Sequence, residues 1–250
     1  MRKKILINSL IGGFAMCSLA QEPEAVQPNV YISGWAGITS NGISLVPNFS
    51  LEQAAAIFYM NLEKGRFSFE PEVSFSLEEG RPWYQIYWLR YKIIDGAGFK
   101  LRTGTHLGLN FVRDPTTDTI ETERYWVGEV APSYELSENV NVGVYYMLAR
   151  GFDIGTSDPL HFFTLNANID NIRISKKLSL EVTPQLYYLS LYGGGEGYYA
   201  TSTFKLSITN FPLSLSAIVN KELSTDITAG KDFLWNLTLT YNFKKAEIRL

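Results

Sequence analysis

Between Asn29 and Phe243 the chain breaks into short stretches in which apolar and polar residues take turns. The last reads Phe233, Trp235, Leu237, Leu239, Tyr241 and Phe243 on one face, against Asn236, Thr238, Thr240 and Asn242 on the other. In 98–112, Phe99, Leu101, Leu107, Leu109 and Phe111 oppose Lys100, Arg102, Gly104, His106, Gly108 and Asn110. In 177–190, Leu178, Leu180, Val182, Leu186 and Tyr188 oppose Ser179, Glu181, Thr183 and Gln185. Successive side chains of a strand point to opposite faces, so each stretch is a strand with one apolar side. Turn residues bound them. The pattern predicts twelve strands, at 29–39, 50–62, 66–78, 82–94, 98–112, 122–136, 139–150, 161–170, 177–190, 197–208, 212–222 and 232–243.

A soluble sandwich and a membrane barrel both produce this alternation, so the joins must decide. Those at Glu63-Lys64-Gly65, Asp95-Gly96-Ala97, Ser137-Glu138 and Thr209-Asn210-Phe211 are turn-like. The intervening ones are mostly longer, as at Asp114 to Glu121, Gly151 to Leu160 and Leu191 to Glu196. The join at Glu78 to Arg81 is tight for its side, and the one carrying Arg173 and two lysines is long for its side. An even strand count, short turns at one end and longer loops at the other belong to outer-membrane barrels. The expected fold is therefore all-β: a single transmembrane antiparallel β-barrel of about twelve strands, with short periplasmic turns and longer extracellular loops. Pro71, Pro132 and Pro184 fall inside expected strands on the lipid side. Each removes a ladder donor, and bulges that curve the wall are the expected accommodation.

Strand 232–243 also carries a resemblance. Phe233-Leu234-Trp235-Asn236-Leu237-Thr238-Leu239-Thr240-Tyr241-Asn242-Phe243 resembles the C-terminal signal strand of Gram-negative outer-membrane β-barrel proteins. The resemblance implies an outer-membrane address and the barrel-assembly machinery as a partner during biogenesis. The tail Lys244 to Leu250 departs from it, because such chains commonly stop at the aromatic residue. The general pattern covers the chain from residue 21 on, without matching a characterised functional family.

The first residues complete the address. Met1-Arg2-Lys3-Lys4 is basic, Ile5 to Leu19 is apolar, and Ser18-Leu19-Ala20 is a small-x-small cleavage site. Residues 1–20 thus read as a Sec signal peptide, leaving 21–28 as a short periplasmic segment, 29–243 as the barrel and 244–250 as a periplasmic tail. A lipid on Cys17 is the competing reading; Met16 before it is larger than such a site accepts. Loss of Arg2, Lys3 and Lys4 takes the formal net charge from −3 to −6. That excludes the basic footprint of nucleic-acid binding. The one cysteine lies in the leader, so no disulfide is expected after cleavage, and no later apolar run is long enough for a membrane helix.

Two inward layers could carry chemistry. Aromatic pairs gather near the long-loop end, and one ring of each points inward: Tyr84, Tyr125, Tyr145, Phe162, Tyr187 and Tyr199. Such a mouth could stack on sugar or base faces and offer hydroxyls, or the rings could simply pack the vestibule. Below lies a mixed-charge layer of Glu70, Glu72, Arg90, Lys92, Lys100, Arg102, His106, Glu129, Glu181 and Lys205. It reads either as a stripe guiding an anionic solute or as ion pairs closing the lumen. Phospholipases and lipid A deacylases show that barrels of this size can be enzymes. Here the two histidines, His106 and His161, have no paired acid beside a nucleophile, so no catalytic residue, metal or cofactor is assigned. The expected function is a narrow passive channel or binding barrel for small polar solutes, saccharide- or nucleoside-like. A closed scaffold that docks partners is the first alternative and a lipid-modifying outer-membrane enzyme the second. Outer-membrane lipid is the expected surrounding.

Overall fold

The structure, a computed structural model, describes residues 29–44, 46–114, 116–153, 156, 159–191, 193–228 and 231–248. The expected leader, with Cys17, and the segment 21–28 lie outside the described residues. Twelve strands follow one another: β1 (Val30–Thr39), β2 (Ala55–Lys64), β3 (Phe67–Ser76), β4 (Pro82–Asp95), β5 (Phe99–Arg113), β6 (Ile120–Ser137), β7 (Val140–Gly151), β8 (Leu160–Arg173), β9 (Leu178–Leu191), β10 (Gly195–Ile208), β11 (Leu213–Thr225) and β12 (Phe233–Ile248). Each pairs antiparallel with its neighbours in sequence. β1 then closes onto β12, with Val30 opposite Ile248 and Thr39 opposite Thr238, so the sheet has no edge.

Two boundaries move by several residues, for stated reasons. β2 starts at Ala55 because residues 40–54 make a small hairpin of their own. In it Ile43 pairs with Ser50, and the Leu51 amide donates to the Gly42 carbonyl at 2.8 Å. β12 runs on to Ile248, through residues expected as a free tail, because Val30 to Ile32 of β1 need a partner below Phe243. The join from β9 to β10, expected as a longer loop, is tight. Both strands reach further than their pattern suggested, and Gly193 (φ 73°) and Gly195 (φ 94°) supply the left-handed backbone it needs.

The prolines correct another expectation. Register is continuous across Pro71 against β4, Pro132 against β5 and Pro184 against β10. On the opposite side, pairing lapses around each proline and resumes in the same register. A residue without an N–H thus drops ladder bonds toward one neighbour and inserts nothing. Irregularities lie elsewhere, between Ile32 and Gly34, Ser74 and Phe75, Lys92 and Ile94, Glu135 and Ser137, Ile169 and Ile172, and Tyr198 and Tyr199.

The two faces separate as the alternation requires. Ile38, Phe58, Leu89, Leu107, Leu186 and Leu237 stand exposed on the outside, whereas Thr39, Glu70, His106, Glu129, Thr201 and Asn236 are buried within. Trp126, Tyr146, Phe163 and Tyr198 ring the outer face near the long-loop end, and Phe67, Phe99, Tyr134, Tyr241 and Phe243 ring it near the short turns. So continuous an apolar belt far exceeds the few hundred Å² that a soluble monomer exposes. Hydrocarbon is the medium that suits it, and a closed barrel satisfies the backbone groups hydrocarbon cannot.

Candidate lumen site

The lumen is built in three levels, beginning with an apolar collar. Every second residue of β4 to β10 points inward, which brings Trp88, Val127, Met147, Phe162, Tyr187, Leu189 and Tyr199 together. Two joins fold in to meet them: Val46, from residues 40–54, and Ile227, from residues 226–232, are both buried in this cluster. Ring contacts chain the collar, with Tyr145 and Phe162 at 6.1 Å, Phe162 and Tyr187 at 5.2 Å, and Tyr187 stacked on Tyr199 at 4.8 Å. The phenol of Tyr187 donates to Asn220 Oδ1 at 2.9 Å and that of Tyr199 to Thr225 Oγ1 at 2.9 Å. Four of the six aromatics expected at the mouth (Tyr145, Phe162, Tyr187 and Tyr199) therefore pack one another.

Above the collar, beneath the folded-in β1–β2 join, lies a cavity of about 720 Å³. Tyr84 and Tyr125, the other two expected aromatics, line it with Trp83, Ile86, His106, Val127 and Met147. From the joins come Val46, Asn48, Phe49, Thr156 and Lys231. Trp83 belongs to a pair expected to put one ring outward. Instead both rings turn in, 4.7 Å apart, because Ser74 pairs with Tyr84 and Phe75 with Pro82, leaving Trp83 as the extra residue. The Tyr84 hydroxyl donates to Glu72 at 2.6 Å and the Tyr125 hydroxyl to Glu123 at 2.8 Å. Neither proton is left for a guest.

Below the collar, the charged layer resolves into separate groups. Arg90 reaches both Glu70 and Glu129; its Nε and Nη2 donate to the two Glu129 oxygens at 2.7 and 3.1 Å. The Glu129 side chain is completely buried and also accepts from the Tyr145 hydroxyl at 2.8 Å. Arg102 Nε lies 3.3 Å from Glu129 but out of line for a hydrogen bond. Glu70 further accepts from Tyr59 at 2.9 Å and Ser68 at 2.6 Å. The link from β4 to β6 passes over β5 at Gly104, where a Cβ would sit 2.8 Å from Arg90 Cγ and 3.0 Å from Glu129 Oε1. Nearer the short turns, Lys92 pairs with Glu63 at 2.5 Å and Lys100 with Glu135. Lys205 faces Glu181 at 3.7 Å on the other wall, away from the network. Glu72 belongs to the cavity through Tyr84. Glu63, Glu135, Tyr59 and Trp88 were not singled out from the sequence, although all four share the inward parity of their strands.

The histidines stand apart from these acids. His106 packs its ring 4.1 Å from that of Trp88, and the Arg90 guanidinium lies 4.1 Å from the same indole. His161 is on the outer face, its Nδ1 2.9 Å from the Tyr146 hydroxyl. Among the described residues no three acidic, histidine or cysteine side chains are grouped to hold a metal ion.

No family model matches this chain, and no curated protein does. Solved structures do. A KdgM porin in complex with disordered oligogalacturonate is similar at a TM-score of 0.54 and 10% identity, over 86% of this chain and 99% of that one. An outer-membrane channel from Pseudomonas putida F1 follows at 0.53 and 13% identity, over 89% of this chain and 99% of that one. The NanC porin gives 0.51 and 12% identity, over 85% and 99%. The fold is that of an outer-membrane β-barrel. In such barrels the short turns face the periplasm and the longer loops the outside. The cavity under residues 40–54 is a vestibule at the long-loop end of the barrel, and the charged layer lies on the short-turn side of the collar.

Proposed function

We propose that this outer-membrane β-barrel is a narrow channel, or binding barrel, for small solutes that enter through the vestibule. Sec export, removal of residues 1–20 and insertion by the assembly machinery reading β12 would place it in a Gram-negative outer membrane. The observation that carries the reading is the cavity of about 720 Å³ in the upper lumen, within the range of pockets that hold one small ligand. Likeness of fold to two porins and a channel supports it. Each arginine and lysine of the charged layer already faces a carboxylate, so an acidic oligomer finds no run of uncompensated cations there. The solute is therefore small, with little net charge.

The packed collar favours a second reading, a closed scaffold that docks partners through its loops. Solute uptake into proteoliposomes separates the two. The channel reading expects uptake above that of protein-free liposomes, with solute competition weakened by Tyr84→Ala and Tyr125→Ala. Uptake equal to empty liposomes favours the scaffold. Competition unchanged by both substitutions removes these rings from the entry site.

A further inference from the structure

We infer that the vestibule is built for a neutral, ring-shaped aromatic molecule with one hydrogen-bonding group, a simple phenol or its like, rather than for a saccharide. This deepens the solute-channel reading and rests on it. The cavity wall is mostly carbon, supplied by Val46, Ile86, Val127, Met147, Leu160 and Leu191. Trp83 and Tyr84, packed edge to face, add aromatic surface to this wall. A sugar needs many polar partners, and those at hand are already engaged. Tyr84 and Tyr125 donate to Glu72 and Glu123, and Asn110 Nδ2 donates to the same Glu123 at 3.0 Å. Ser44 and Ser50 donate to backbone carbonyls at 3.0 and 2.8 Å. Lys231 and Glu52 neutralise each other at 2.7 Å.

Among the described residues, two polar groups on residues of the lining have no partner: Asn48 Nδ2 and His106 Nδ1, on residues 5% and 6% exposed. Buried polar atoms in native proteins are almost always satisfied, so two orphans on one cavity ask for a guest. One is a donor, and the other accepts when the imidazole carries its proton on Nε2. Both atoms lie beneath the cavity surface, so a guest meets them only once the amide or the ring has turned about its own terminal bond. A phenolic hydroxyl both accepts and donates, so it can meet either group. A hexose would bury several hydroxyls against carbon, each losing water without replacement.

The test uses the purified barrel in detergent micelles, with 4-methylphenol, toluene and maltose as probes. Titration calorimetry reads binding, and quenching of tryptophan fluorescence reports occupancy beside Trp83. Expected is binding of 4-methylphenol about tenfold tighter than toluene, with no maltose binding at the same concentration. Asn48→Ala and His106→Phe should each shrink the phenol-to-toluene ratio toward one, with heat-modifiable gel mobility unchanged. Maltose binding as tight as the phenol, or a ratio untouched in both folded variants, overturns the inference. Proteoliposome flux is read in parallel. Flux with maltose preferred leaves the channel standing without this ligand class, whereas phenol binding without flux keeps the ligand class and removes the channel.

Discussion

Glu129 shows how one residue organises the lumen below the collar. Its buried carboxylate takes Nε and Nη2 of Arg90 and the Tyr145 hydroxyl, and its backbone carbonyl accepts from Thr103 at 2.8 Å. Charges in such a place cost desolvation, and removing one partner leaves the other uncompensated. Glu129→Ala should therefore destabilise the barrel by about 3 kcal/mol in urea unfolding from lipid vesicles. Gly104→Val reaches the same network from the middle strand. It forces Arg90 from Glu129, so its cost should be similar and the double variant well short of additive. Additive losses would show that the two act independently.

At the scale of the element, strands were legible because hydrocarbon outside and polar packing inside impose period two along the wall. β12 displays this without a break, its six large residues outside and Asn236 buried inside. Bulges were not legible. Prolines drew attention because they lack a donor, yet the extra residue at Trp83 is fixed by how β3 pairs with β4, and nothing local announces that. The start of β2 was misplaced because the join before it is as apolar as a strand, Ile43, Val46 and Leu51 being loop residues turned toward the lumen.

The outer joins have their own pH dependence. Hydrogen bonds from Gln53 and then Arg81 hold the Glu79 carboxyl below its ordinary value, and the Arg124 side chain and amide do the same for Asp153. Acids lowered in the folded state stabilise at neutral pH, and that support is lost as pH falls through their folded values. Protection from hydrogen exchange, taken relative to the intrinsic rate at each pH, should fall at residues 77–81 and 152–153 below about pH 4 while that of β9 to β11 holds steady. Uniform loosening of wall and joins would contradict this.

For the whole molecule, the lumen is decided by contacts between elements distant in sequence. Aromatic residues at the upper lumen were evident from parity, but parity cannot distinguish an open mouth from a packed collar. What settles it is that Val46 and Ile227 fold in from two separate joins. Charge pairing had the same limit: Arg90 and Glu129 meet only because glycine occupies the strand between them. The two joins are also tied to each other by Lys231 and Glu52, an exposed pair of small energy that salt would screen.

A lumen narrowed by these joins has a direct electrical consequence. Single-channel conductance in planar bilayers should be measured for the native barrel and for a variant in which residues 43–50 are replaced by a short glycine-serine turn. Small, discrete steps are predicted for the native protein, rising severalfold when Val46 leaves the collar. Absence of steps from both, with folding confirmed by heat-modifiable mobility, would contradict a solute path through this barrel.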